Sequence, residues 1–561
     1  MASHPSSTFY VRDGRVIYTS IAAAIGARPS QQETPTTWKR AQELGENWVE
    51  CTWDEIQSYI DFGVIEPLDK EDIPKGCNVT GSRFVYKLKL KADGSVDKYK
   101  ARLVIKGFTQ VKGLDYEETF APVSDLMTVR IVLLICLNYG LIPHHVDVKC
   151  AFLNSTLKEE VYVRLPEDFA IGGKRYGRLK KSVYGLKQAA HDWFELQHSF
   201  LMTYDMVYDE TTGEMVSRIQ QSASDPCLYY LMDGDLMVII STHVDDYVIG
   251  SSSDQWYQDF VAAFGAAFEI TDMGVVSHLL QMSVDWSSDS VKLGQQRQIE
   301  ELLEKYDMID FRTVQTPMEE SLDLPHMPNI ITVLPYAALL GALLWFARTT
   351  RPDIYYSVIY LSRYTNSYGP EHYAALKRVL RYLGSTKHYR LRYVRDWSWK
   401  PGDDMYMKFY DDSDWAGDKG DRKSFSGVMG FVLGGLVLWT SKKQSTVALS
   451  SCEAEYYAIT EAVKLMLHAY YMLTQMFVVL CPIPLMIDNV GAGYMAQNAI
   501  NNKRTKHIDI RFHFIRQHIK NKLVELFYVE TKLNIADIMT KALSPEAHIR
   551  LCKLFMYTEY E

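Results

Sequence analysis

Leu236-Met-Val-Ile-Ile-Ser-Thr-His243-Val-Asp-Asp246-Tyr-Val-Ile-Gly250 is two apolar, β-rich runs facing each other across His243-Val244-Asp245-Asp246. Such runs read as adjacent strands joined by a tight turn. The turn crowds two carboxylates together, which is costly unless a cation is present. Hard divalent ions such as Mg²⁺ prefer carboxylate oxygens. Phosphoryl transfer to a hydroxyl uses two such ions roughly 3.5–4 Å apart, so a third carboxylate is expected from elsewhere. Asp147 qualifies. It lies in a predicted strand over 143–148, just before Ala151-Phe152-Leu153. Spacing alone decides little, because Asp403-Asp404 and Asp411-Asp412 are adjacent acids too.

Outward from this hairpin, residues 82–106 alternate apolar and basic around Asp93-Gly94, a second hairpin signal. Helical spacing predicts helices over 48–65, 129–139 and 188–204, and mainly helical structure over 300–306 and 335–384. A further α/β region begins near Tyr406 after the turn at Pro401-Gly402, with a long helix over 453–477. The first 45 residues are polar and rich in Ser, Thr, Pro and Gln, which predicts a poorly ordered leader.

The chain has 561 residues, is 47% hydrophobic and 23% charged, and fits three or four globular domains. Its net charge of −9 does not by itself suggest a nucleic-acid partner, but the cations are grouped. Residues 83–112 hold nine Lys/Arg against two acids, 371–400 eight against two, and 503–522 seven against one. Such stripes can track a phosphate backbone or simply face solvent. The eight cysteines have no metal-ligand spacing and no disulfide framework. The apolar run 334–347 is too short to span a membrane, and 465–487 is broken by His468, Gln475, Pro482 and Pro484. No membrane partner is expected.

Several segments carry a family resemblance, in family order. They are Tyr99-Lys-Ala-Arg-Leu-Val-Ile-Lys-Gly-Phe-Thr-Gln110, Glu118-Thr-Phe-Ala-Pro-Val123, Val146-Asp-Val-Lys-Cys-Ala-Phe-Leu-Asn154, Ser182-Val-Tyr-Gly-Leu-Lys-Gln-Ala189 and Val244-Asp-Asp246. Thr350-Arg-Pro-Asp-Ile354, Ser441-Lys-Lys-Gln444 and Lys506-His-Ile-Asp-Ile-Arg511 follow. From about 48 to 545 the chain resembles the reverse transcriptase and ribonuclease H of copia-type LTR retrotransposon polyproteins. The resemblance implies a multidomain α+β and α/β chain. It has a leader at 1–45, fingers and palm at 46–285, and a mainly helical thumb and connection at 286–400. A ribonuclease H-like domain at 401–545 and a tail at 546–561 complete it. Without protease, zinc-knuckle or integrase motifs, the chain is expected to be the polymerase end of such a polyprotein or a separate genomic fragment.

By the same resemblance Asp147, Asp245 and Asp246 hold the polymerase metals, two Mg²⁺ with Mn²⁺ as a substitute. Phe152 matches the aromatic gate against a ribose 2′-hydroxyl, its plain alternative being a core Phe. Lys100, Arg102 and Lys106 share one face of the 82–106 hairpin and would meet the incoming triphosphate, with Arg102 the preferred candidate. Gln188 matches the polar residue beside the nascent base pair, or is an ordinary helix-terminal Gln. The second metal set is Asp412, Glu455, Asp488 and Asp537, with Asp411, Asp414 and Glu453 as competing choices. His507 either touches substrate or product or caps a helix. The implied partners are an RNA template, a DNA primer, RNA–DNA hybrid and dNTPs. The implied setting is the cytoplasm, in a virus-like particle, or the nucleus. Two departures stand out: His243 where the family usually has Tyr, and Cys452 where Thr is usual. They leave room for the alternative of an inactive relic that binds nucleic acid. An unrelated metal-dependent nuclease would leave the 82–106 hairpin and the Gln188 segment unexplained.

Overall fold

The structure is a computed structural model. It describes residues 33–90, 96–325, 334–497 and 509–559, with the backbone of two short paired strands, Phe9–Arg12 and Arg15–Tyr18. The turn residues Asp93-Gly94, His507 and most of the expected leader lie outside the described residues. The leader's end is a correction: Trp38–Leu44 is a helix, capped by Thr37 and burying Ala41. The chain divides into two units, one holding Gly26–Ser124 and His144–Gly274, the other Asp125–Pro143 and Val275–Glu561.

The first unit contains two larger sheets, besides the two-stranded pair Met206–Asp209 and Glu214–Ser217. In one, helix α1 (Glu46–Asp61) packs against the hairpin of β1 (Val79–Leu90) and β2 (Val96–Ile105). The pairing places Lys98, Lys100 and Arg102 opposite Lys89, Lys87 and Val85. Alternation sends Ala101, Leu103 and Ile105 into a core with Phe84 and Tyr86, leaving the basic residues on the other face. Two α1 side chains fix this choice of face. Glu55 Oε1 accepts the Leu103 N–H at 2.9 Å, and the Tyr59 hydroxyl donates to the Leu103 carbonyl at 2.7 Å. The hairpin base is pinned by a glycine crossing. A Cβ on Gly107 would lie 2.0 Å from the Gly185 carbonyl oxygen, and one on Gly185 2.2 Å from that of Ile105. No side chain fits there, so Tyr184 is drawn against β2, where its carbonyl accepts the Ile105 N–H at 2.8 Å.

The other sheet has six strands. Its centre is β4 (Leu236–His243) and β5 (Asp246–Ser251), with β3 (Ile142–Val148) beside β5. Val146, Val148, Val238, Ile240 and Ile249 bury against Trp193 of helix α2 (Ala189–Tyr204) and Phe260 and Phe264 of helix Asp254–Ala267. The two runs that face each other across Val244-Asp245 in the sequence are paired antiparallel here.

In the second unit β6 (Met407–Asp414) is central to a five-stranded mixed sheet. Strand Phe425–Val432 and then Gly435–Lys443 lie antiparallel on one side of it. Strand β7 (Ile483–Ile487) and then Val524–Tyr528 lie parallel on the other. Helix α3 (Ser451–Leu473) packs across β6. This is the α/β region expected from residue 401 onward.

Two segment boundaries are corrected. Helix Leu126–Tyr139, expected with the fingers and palm, belongs to the second unit. It is apolar on nearly all sides and so needs burial all round. Its Arg130 donates to the carbonyls of Val437 at 3.0 Å and Thr349 at 2.8 Å, with its guanidinium 3.8 Å over the Trp439 ring. The expected C-terminal tail is instead helix Pro545–Cys552 and strand Met556–Tyr557, which pairs with Arg390–Val394. Among the described residues no helix is long and apolar enough to cross a membrane.

Candidate active sites

The β4–β5 connection is a two-residue turn with Val244 at φ 62, a conformation that β-branched residues rarely adopt. Trp193, fully buried, holds it by donating Nε1–H to the Val244 carbonyl at 2.6 Å. The next carbonyl, that of Asp245, accepts the Val148 N–H at 2.8 Å. That bond draws β3 to the turn, so Asp147, Asp245 and Asp246 come together from three strand ends. Their charges interact. Burial raises the Asp245 pKa, the Asp246 and Asp147 charges raise it further, and Arg102 opposes them. Crowded, part-buried carboxylates are a donor set that a divalent cation fits.

Around this turn, Phe152 sits in the one-turn helix Ala151–Asn154 and meets Tyr184 edge-on, ring centroids 5.1 Å apart. The Arg102 guanidinium lies over the Tyr184 ring, 4.5 Å from its centroid, and its Nε is buried without a partner. Lys100 shares the Arg102 face of β2. Lys106 does not join them. It lies past the end of β2, over Gly81, and lines a separate cavity. Gln188 is 1% exposed, and both ends of its amide are engaged. Its Oε1 accepts from Gln110 at 3.1 Å and its Nε2 donates to the Asp115 carbonyl at 2.9 Å. Its amide is therefore committed to holding the 110–115 loop.

The second site follows from strand register. Phe409 and Tyr410 of β6 pair in parallel with Leu485 and Met486 of β7, which brings Asp412 level with Asp488. Asp537 arrives on the turn Ile535–Met539, tied down where Asn534 Nδ2 donates to the Asp411 carbonyl at 2.7 Å. Opposite Asp412 stands Gly427, where a Cβ would lie 2.6 Å from Met539 Cβ, so only glycine lets that turn lie on the sheet. Asp412, Asp488 and Asp537 each present an oxygen within 4.8 Å of the others. The palm set does not reach that spacing among the described residues.

The competing choices separate cleanly. Glu453 caps α3, its Oε2 accepting the Leu449 N–H at 2.8 Å. Glu455 turns to the cluster instead, accepting from Ser413 Oγ at 2.8 Å with its other oxygen buried and unpartnered. Asp414 accepts the Phe425 N–H, and burial pushes its pKa up to about 8. Asp411 is fully buried with neither oxygen paired. Asp412 is the strand's contribution to the cluster.

Residues 68–320 match the family model described as reverse transcriptase (RNA-dependent DNA polymerase). The chain is 34% identical over 503 residues to the Pol polyprotein of transposon TNT 1-94 from Nicotiana tabacum, covering 86% of this chain and 36% of that protein. It is 34% identical over 480 residues to that of transposon RE1 from Arabidopsis thaliana, covering 84% and 31%. The chain belongs to the copia-type retrotransposon Pol family. It spans about a third of the length of these curated relatives. Among solved structures it is similar to a foamy virus protease-reverse transcriptase at 11% identity and TM-score 0.23, covering 91% of this chain and 56% of that one. It is also similar to a ribonuclease H1 solved with RNA/DNA hybrid, at 15% identity and TM-score 0.20, covering 24% and 93%.

Several residues of this Pol segment escaped the sequence reading. Thr540 donates to Asp412 Oδ2. Lys541 bridges the cluster, 2.8 Å from Asp537 and 3.5 Å from Asp412. Its place four residues after Asp537 was visible in the sequence. Cys452, one of the departures, reaches Asn489 beside Asp488 through Sγ at 3.4 Å. Asp353, His548 and Cys552 also have metal-ligand spacing. Arg351 already occupies both Asp353 oxygens, so that group is a buried ion-pair network.

The second cluster has a pH signature. Burial, then Asp412, pushes the Asp537 carboxyl from 3.8 up to about 7. Between about pH 4 and 7 the folded protein holds a proton that the unfolded chain has lost. Stability therefore falls as pH rises through that window, by up to ~1.4 kcal/mol per unit. Thermal melts of metal-free protein should show a steeper fall over this window than Asp537→Asn, and Mg²⁺ at pH 7.5 should raise the wild-type midpoint. Equal slopes would contradict the shift.

Proposed function

We propose that the chain copies RNA into DNA at Asp147, Asp245 and Asp246, and cleaves the RNA strand of hybrids at Asp412, Glu455, Asp488 and Asp537. The observation that carries the reading is that each carboxylate set is assembled from separate elements by backbone bonds and strand register. Each set would hold two Mg²⁺ ions, or Mn²⁺, which activate the attacking oxygen and steady the leaving one. Lys100 and Arg102 would neutralise the triphosphate of a dNTP. Phe152, backed by Tyr184, would wall the sugar side. Lys541 would offset carboxylate charge in the hybrid site. The test is Mg²⁺-dependent extension of a DNA primer on RNA by the purified chain, alongside cleavage of labelled hybrid. A wild-type chain that does neither would overturn the proposal.

The Lys106 cavity supports a nucleic-acid partner. It measures about 570 Å³ and is lined by Arg83, Lys106, Arg164 and Arg175, with Glu167 as the acid. None of these four cations has an acidic partner among the described residues. Arg83→Gln, Arg164→Gln and Arg175→Gln should each lower the slope of log affinity against log salt by about 0.7 for single-stranded RNA. Fluorescence anisotropy measures this, and unchanged slopes would remove the cavity from the binding surface.

One observation favours a second reading for the polymerase half alone. The palm carboxylates are the looser set and stand beside His243 in place of the usual Tyr. A relic would bind hybrid in a salt-sensitive way yet incorporate nothing.

A further inference from the structure

We propose that His145 is a positioning residue for the palm site, holding Asp246 so that one of its oxygens stays free for a metal ion. The inference rests on reading that site as the polymerase centre.

His145 stands two residues before Asp147 on β3, so both point to the same face of the strand. Strand β3 lies next to β5, which begins at Asp246. The imidazole is 6% exposed, so it is largely removed from water and needs a partner. Its Nε2 lies 2.7 Å from Asp246 Oδ1. With Nε2–H donating, Oδ1 is committed and Oδ2 remains. One strand thus supplies the ligand Asp147 and the clamp on Asp246. Second partners of this kind fix the orientation of metal-binding side chains, and their loss typically costs 10–100-fold in metal affinity.

His243 does not share the role. It pairs across the hairpin with Asp246, but its Nδ1 is buried without a hydrogen-bond partner. Among the described residues, the imidazole hydrogen-bonded to Asp246 is the one on β3.

The experiment compares His145→Leu, which keeps the bulk and removes the donor, with His145→Gln, which restores an N–H. Both are made in the full chain carrying Asp488→Asn, so that the hybrid site contributes less to the signal. Mn²⁺ binding is followed by electron paramagnetic resonance, and primer extension is titrated with Mg²⁺. His145→Leu should weaken Mn²⁺ binding and raise the half-saturating Mg²⁺ concentration by about 10–100-fold. His145→Gln should recover most of both, with melting midpoints matched across the set. Equal behaviour of the two variants, or a Leu variant that binds Mn²⁺ like its parent, would overturn the proposal. A parent that binds Mn²⁺ normally but never extends a primer would instead count against the polymerase reading, and the Mn²⁺ comparison would still decide the role of His145.

Discussion

Asp245→Asn is expected to lower primer extension by about 10³-fold or more while leaving hybrid cleavage near the wild-type rate. Asp488→Asn should do the reverse. A metal that stabilises transition-state charge contributes several kcal/mol, and about 4 kcal/mol corresponds to 10³ in rate. Among the proposed ligands, Asp245 is the one whose loss should tell most. Its carboxyl feels Asp246, Asp147 and Arg102 together, while its backbone carbonyl holds Val148. Asn keeps the backbone bond and the side-chain shape and removes only the charge. Asp488 is matched to Asp412 by strand register and lies in the other unit. Both reactions are run on the same preparations. If either substitution removed both activities, the assignment of separate sites would fail.

The polymerase half was legible because its chemistry sits on short local patterns. The β4–β5 turn announces itself as two apolar runs across four residues, and alternation alone placed Lys100 and Arg102 on one face of β2. Lys106 shows where that argument stops. Alternation holds only within a strand, and β2 ends at Ile105. Gln188 was read as facing a substrate because its neighbours match a motif, yet nothing in a sequence reveals that Gln110 and Asp115 occupy its amide. The same is true of His145. Its importance comes from a residue 101 positions away, reached because two strands are neighbours in the sheet. His243 stands out in the sequence instead, as a departure from the family motif, although its cross-strand position gives it no hydrogen bond to Asp246. The choice among Asp411, Asp412 and Asp414 also needed register, since three acids on one strand differ only in what each face meets.

The Thr350-Arg-Pro-Asp-Ile354 motif has a physical reason of a different kind, and breaking it should give the largest loss of stability. Arg351 and Asp353 are 1% and 2% exposed and joined by two hydrogen bonds, of 2.9 and 2.7 Å. Arg351 also donates to the Thr386 carbonyl at 3.0 Å and to its hydroxyl at 2.6 Å. The Tyr382 hydroxyl donates to Asp353 at 2.7 Å and lies 3.0 Å from His548 Nε2. Burial alone would raise the Asp353 pKa, but Arg351 beside it prevails and holds the carboxyl below its ordinary range. Arg351→Met strands that carboxylate in the interior and should cost about 3–5 kcal/mol. Arg351→Met combined with Asp353→Leu removes both charges and should cost less than either single change. Hydrogen exchange locates the effect, with protection lost first in helices Pro370–Ser385 and Pro545–Cys552, which hold Tyr382 and His548. A double variant less stable than Arg351→Met would mean that the network's remaining hydrogen bonds, rather than the paired charges, hold these helices in place.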